Sequence, residues 1–325
     1  MTDVDGEEDG MGTTRRMLTG AVALLTAAGL TVGGADAAPR DGEVATAFQS
    51  VDRSTAWTLA ARIPLRFPTY HPQGFALVGD RIFLSSVEVL EAPVKYPVPQ
   101  GGYDRTPGRG IGHVFVLDRS GQLLKDIRVG EGTVYHPGGI DFDGTDVWVP
   151  VAEYRPNSDA IVYRLDPRTL AVREEFRVHD HIGGIVRDRY DGSLHGVSWG
   201  SRRFYSWTAR GEQLAMTLNP SHLIDYQDCD YVARRKALCT GVTGLPTAAG
   251  GSYELGGLAL LDLADGDRIV HEVPFQKFSA AGHVATRNPV ALETDGTTLR
   301  LLAAPDDGEE VAGTELLVYE TPLPR

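Results

Sequence analysis

The chain has 325 residues, with 44 Asp and Glu against 31 Lys and Arg, and a formal net charge of −13. An acidic chain with no basic run has no electrostatic attraction for nucleic acid or for an anionic membrane surface, so neither is expected as a partner. No low-complexity linker interrupts it, which favours one domain, with a monomer expected.

In chain order, Thr14-Arg15-Arg16-Met17-Leu18-Thr19 opens a stretch of Ala, Leu and Gly that closes on Ala35-Asp36-Ala37, a small-x-small cleavage pattern. Residues 1–37 therefore read as a cleaved twin-arginine export signal, which predicts a secreted, extracytoplasmic protein with no membrane attachment after cleavage. The acidic leader before Met11 is unusual for such a signal, and Met11 is an alternative start. Cleavage leaves 38 acids and 29 bases, a net charge of −9. Residues 38–55 read as an N-terminal linker and 56–325 as the folded domain.

The domain is repetitive. His71-Pro72-Gln73-Gly74 returns as His136-Pro137-Gly138-Gly139 and His181-Ile182-Gly183-Gly184, each just before a pair of predicted strands. Counting in the same register puts Gln227 and Asn288 at the corresponding place in two more units. Strands are predicted at 82–89, 147–152, 194–198, 237–242 and 299–304, apolar enough to be buried between neighbouring units. Hairpins follow at 113–117 with 123–129, 160–165 with 170–178, 204–208 with 213–218, and 258–263 with 268–275, separated by turns such as Asp118-Arg119-Ser120-Gly121. Repeats of about 40 to 60 residues built from short strands read as a β-propeller, here all-β with five blades. Residues 315–320 lack a partner at one end and 57–65 lack one at the other. Pairing them closes the ring and removes an open edge.

Propeller topology brings the start of strand one and the end of strand two to the same face. His71, His136, His181, Gln227 and Asn288 should therefore meet Glu88, Glu153, Tyr154, Arg155, Trp199 and Arg202 at the mouth of the central channel. Glu88 and Glu153 each lie 17 residues after their repeat's His, which makes them the candidate acid and base with His136. The remaining residues are candidate ligand contacts. Three imidazoles, His71, His136 and His181, suit one divalent metal ion. The competing reading is a polar plug that hydrogen-bonds strand-start backbone and water. Residues 90–111 form a long loop above the same face, with Tyr96, Tyr103, Arg105 and Arg109 in reach of a ligand. Gly196-Val197-Ser198-Trp199-Gly200 matches a nucleophile elbow, but no strand-to-helix turn is predicted there. Cys229 and Cys239 flank a hairpin turn symmetrically and are expected to form a disulfide after export.

The runs His71-Pro72-Gln73-Gly74, Ser85-Ser86-Val87-Glu88, Ala152-Glu153-Tyr154-Arg155-Pro156-Asn157-Ser158, Gly196-Val197-Ser198-Trp199-Gly200-Ser201-Arg202 and Asp225-Tyr226-Gln227-Asp228-Cys229 resemble a functionally uncharacterised family of exported bacterial proteins over nearly the whole mature chain. More distantly, the architecture is similar to the gluconolactonase and strictosidine-synthase-like propellers. Those are six-bladed, and the lactonases hold a divalent cation with Glu, Asn and Asp; five blades and a His-rich ring depart from that pattern. Two functional readings remain. One is a hydrolase or lyase acting on a small molecule, with Glu88 or Glu153 as acid or base and Arg155 or Arg202 binding an anionic group. The other is a non-catalytic module in which Trp199 and Tyr154 recognise a saccharide, peptide or partner.

Overall fold

The computed structural model describes residues 42–311 and 313–324. Residues 1–37, expected to be an export signal, with Met11 and Arg15-Arg16, lie outside the described residues. Five antiparallel sheets form a five-bladed propeller. Blade 1 comprises His71–Val78, Arg81–Glu91, Arg109–Asp118 and Leu123–Val129. Blade 2 comprises Val134–Pro137 with its continuation Asp141–Phe142, then Val147–Glu153, Ala160–Leu165 and Val172–Val178. Blade 3 comprises Ile182–Arg187, Leu194–Ser198, Arg203–Trp207 and Gln213–Leu218, and blade 4 comprises Asp225–Ala233, Lys236–Pro246, Ser252–Asp262 and Arg268–Phe275. Blade 5 takes Val290–Thr294, Thr298–Ala303 and Glu315–Pro322 from the C-terminal end and Thr58–Pro64 from the N-terminal end.

Local chemistry accounts for the hairpins. Asp118 Oδ1 accepts from the amides of Ser120 and Gln122, and Asp295 Oδ1 accepts from those of Thr297 and Thr298, so a side chain substitutes for the turn's missing backbone partner. Strand two of each blade is sandwiched between neighbouring sheets. Val147–Glu153 is buried at all seven positions, which explains its continuous apolar run. Outer strands such as Gln213–Leu218 are mostly exposed. The closure is antiparallel, with Thr58 opposite Glu320 and Pro64 opposite Glu315.

The segment expected to be a linker contains a helix, Glu43–Gln49. Seven residues are too few to hold a helix by propensity alone, so packing forms it. Val44, Ala45, Ala47 and Phe48 are buried in one cluster with Trp57, Phe275, Leu299 and Tyr319, which ties the segment onto blades 4 and 5.

The inner strands approach one another closely along the axis. The inner strands place Gly74, Gly139, Gly184 and Asp228 at equivalent positions, and the glycines make room for the one carboxylate. A Cβ on Gly139 would stand 2.7 Å from Asp228 Oδ1, and one on Gly74 would stand 2.9 Å from it. The buried carboxylate accepts from the amides of Phe75 at 2.7 Å, Ile140 at 3.2 Å and its neighbour Cys229 at 3.1 Å, fastening three blades at their centre. Burial holds its acidity well below that of an ordinary carboxyl group.

Cys229 and Cys239 face each other across strands one and two of blade 4 and are disulfide-bonded, as their spacing predicts. Mass spectrometry of alkylated, unreduced protein should find neither thiol free. The bond closes a loop of 10 residues, so its loss should cost about 2 to 3 kcal/mol. Two alkylated cysteines in the purified protein would contradict this pairing.

Candidate functional site

The first strand residue of blade 1 and the residues beginning blades 2 and 3 bring three imidazoles into a row. The His71 and His136 ring centres are 6.0 Å apart, and those of His136 and His181 are 5.8 Å apart. The two outer rings are oriented from behind. His71 Nδ1 lies 2.5 Å from Asp307 Oδ2, and His181 Nδ1 donates to the Glu153 carbonyl at 2.8 Å. These acceptors place the hydrogen on Nδ1 and leave Nε2 of both rings with a free lone pair. His136 is different: the residue is 5% exposed, and neither ring nitrogen has a hydrogen-bonding partner. Burial, reinforced by the neighbouring His181 and His71, drives its pKa well below the ordinary histidine value. Burial also lowers His181, to about 4. His136 and His181 are therefore neutral at physiological pH, and the row retains unused hydrogen-bonding capacity.

Aromatic rings cover it. Tyr154 lies 4.1 Å from His136 between ring centres, and Trp199 meets His181 edge-on at 4.8 Å. The segment read as a loop is a hairpin, Lys95–Gln100 with Tyr103–Arg105, and it leans on this cover. The Arg105 guanidinium sits 5.0 Å above the Trp199 ring, and Tyr103 stacks 3.5 Å from the Arg155 guanidinium. The hairpin is joined at its base by Thr106 N to Val94 O at 2.9 Å and adds nothing to the core clusters. Replacing 95–105 by a short turn should leave the melting temperature within about 2 °C while increasing iodide quenching of tryptophan fluorescence. Of the four tryptophans, Trp57, Trp148 and Trp207 are buried, so Trp199 provides the change. Unchanged quenching with a large loss of stability would make the hairpin a structural strap.

Several expected members lie elsewhere. Val87 pairs with His71 and Ala152 with His136, so the next residue in each strand, Glu88 or Glu153, turns its side chain to the other side of the blade. Glu88 is 3.7 Å from His113, away from the row. The buried Glu153 carboxylate accepts from Thr133 at 2.5 Å and from Arg155 Nε at 2.6 Å. It borders a cleft of about 640 Å³ on the flank of blade 2, together with Glu131, Asp159, Arg177 and His179. Arg155 is thus engaged inside the protein. Arg202, about a third exposed, is committed to the carbonyls of Gly200 and Ser221, to His222 and to Asp225.

The blade 4 register also needs correction. His71 and His181 each stand two residues before a bulged position, between Pro72 and Gly74 and between Ile182 and Gly184. The matching bulge in blade 4 is at Gln227 itself, so Asp225 is the counterpart of the histidines. Asn288 is buried and donates to the Pro305 carbonyl. Among the described residues, no group of three or more His, Cys, Asp or Glu side chains is placed to hold a metal ion, so His71, His136 and His181 do not form the expected ligand set. Ser198 is followed by a single 3-10 turn, and its hydroxyl accepts from the Arg203 amide, a structural role. Asp307 follows strand two of blade 5 with no motif to mark a role for it, and its pairing with His71 spans 236 positions.

The chain belongs to a family of unknown function, DUF6454, whose profile matches residues 36–324. No curated protein matches it. Solved structures similar to it include Kuenenia stuttgartiensis hydrazine synthase, at 15% identity and a TM-score of 0.37 over 77% of this chain, which spans 60% of that one. A luciferin-regenerating enzyme matches at 9% identity, TM-score 0.42, covering 82% of this chain and 95% of that one. The Neurospora crassa Pan2 WD40 domain matches at 8% identity, TM-score 0.41, covering 85% and 98%.

Proposed function

We propose that this member of the family is an exported hydrolase or lyase acting on a small hydroxylated molecule at the axial imidazole row. The observation that carries the reading is the His71–Asp307 pair beside a buried His136 with no hydrogen-bond partner. A carboxylate at 2.5 Å from Nδ1 orients His71 and holds a hydrogen on that nitrogen, which leaves Nε2 to act as a general base. His71 is also the more open of the row, with its side chain 19% exposed, so a water or substrate hydroxyl can reach Nε2. His136, held neutral, can then donate to or accept from a substrate oxygen, and Tyr154 and Trp199 offer ring faces to a sugar-like ring. No step requires a metal ion. Export through Arg15-Arg16 belongs to the same reading and is supported by the disulfide.

A panel of sugar lactones and uronide oligosaccharides, followed by acid release and by absorbance of unsaturated product, tests the proposal. Turnover in the wild type that falls at least about 100-fold in His71→Gln, with the melting temperature retained, is the expected result. Turnover unaffected by His71→Gln would overturn it. If the panel gives no turnover but saccharides raise the melting temperature through His136, the covered row is a binding site, the reading favoured by the aromatic cap.

A further inference from the structure

We propose that Ser193, His195 and Asp267 form a second nucleophilic centre, at the end of strand Leu194–Ser198 away from Trp199, that cleaves short-chain aryl esters. This does not rest on the axial reading. His195 Nδ1 lies 2.7 Å from Asp267 Oδ1, and His195 Nε2 lies 3.0 Å from Ser193 Oγ. The three residues come from blades 3 and 4, and the His and Asp side chains are 10% and 8% exposed, whereas Ser193 sits in a partly open turn. A nucleophile in hydrogen-bond reach of a base that is itself oriented by a carboxylate is the arrangement acyl transfer requires. Asp267 also has φ 60°, a left-handed backbone for a non-glycine residue, which is retained where the surroundings fix it.

The surroundings define the substrate. Tyr190, in the same turn, is 54% exposed and stacks against the guanidinium of Arg234 at 3.6 Å, a flat platform for an aromatic ring. Behind His195, between Val186, Phe204, Leu261 and Leu263, the free space is about 20 Å³, which leaves no room for a long acyl chain. Asp191 Oδ1 accepts from the Ser193 amide and hydroxyl at 2.9 and 2.6 Å, so it competes with His195 for the hydroxyl hydrogen. Arg235, at 2.8 Å from the other Asp191 oxygen, offsets that negative charge.

In the reaction, Ser193 Oγ attacks the ester carbonyl while its proton passes to His195 Nε2, and Asp267 stabilises the imidazolium. The acyl–oxygen bond to the aryl group breaks, the leaving phenol takes the proton back from His195, and water repeats the sequence to release the carboxylic acid.

The test uses the full chain with diisopropyl fluorophosphate, followed by peptide mass mapping, and with 4-nitrophenyl acetate. A phosphoryl adduct on Ser193, absent in Ser193→Ala, and acetate release reduced at least about 100-fold in Asp267→Asn would support the centre. The wild-type adduct is informative even if Asp267→Asn fails to fold. No adduct, an adduct on Ser198 or another residue, or acetate release unchanged in Ser193→Ala would overturn it.

Discussion

A chain that starts at residue 67 should lose cooperative folding. Thr58–Pro64 is the fourth strand of blade 5, so its removal leaves Glu315–Pro322 with an open edge. The same cut removes Phe48, Val51, Trp57 and Leu65, all at most 7% exposed. At about 1.5 to 3 kcal/mol for each large apolar side chain, that burial is worth roughly 6 to 12 kcal/mol, comparable with the whole stability of a typical domain. A chain starting at residue 56 keeps the strand but loses the helix, and it should melt between the two. A chain from residue 67 that melts cooperatively within about 2 °C of the intact protein would show that closure does not depend on this strand.

The architecture was legible because propellers write it locally. The His-x-x-Gly recurrence marked three blades, the hairpins with their turns marked the rest, and an unpaired strand at each end gave the seam. The disulfide followed from two cysteines equidistant from a turn. The helix at Glu43–Gln49 was missed because a seven-residue helix held by packing on blades 4 and 5 leaves no long periodic signal.

The candidate site was legible only in part. The three histidines do come together, with Tyr154 and Trp199 over them, because register fixes where an inner strand begins. Side-chain direction was less accessible. Glu88 and Glu153 share the expected register, yet one step along a strand reverses the face. A bulge at Gln227 shifted the blade 4 count by two residues, and no histidine marked the error. Contacts such as Asp307 with His71 depend on the first and last blades of the ring packing side by side, and sequence spacing carries no trace of them.

His136 decides whether the row is built for a ligand at the expense of the fold. A buried polar atom without a partner costs about 1 to 3 kcal/mol, so the apolar replacement His136→Leu should stabilise the protein, by about 2 to 4 °C for each kcal/mol gained. The sign of the pH effect is also fixed. The folded-state pKa of His136 lies below the unfolded value, so between the two the unfolded chain binds the proton and the folded chain does not. The imidazole's contribution is intact above the unfolded pKa of about 6.5 and is lost as pH falls below it. Buried Asp141, raised to about 6, works in the opposite direction in the wild type, but it is common to both proteins and cancels in their difference. The decisive measurement is therefore the melting temperature of His136→Leu relative to wild type at pH 7 and at pH 5. A row built for a ligand makes the variant more stable at pH 7 and widens the gap at pH 5. A variant less stable than wild type at both, by the same margin, would mean that His136 is a satisfied structural plug and would contradict that reading.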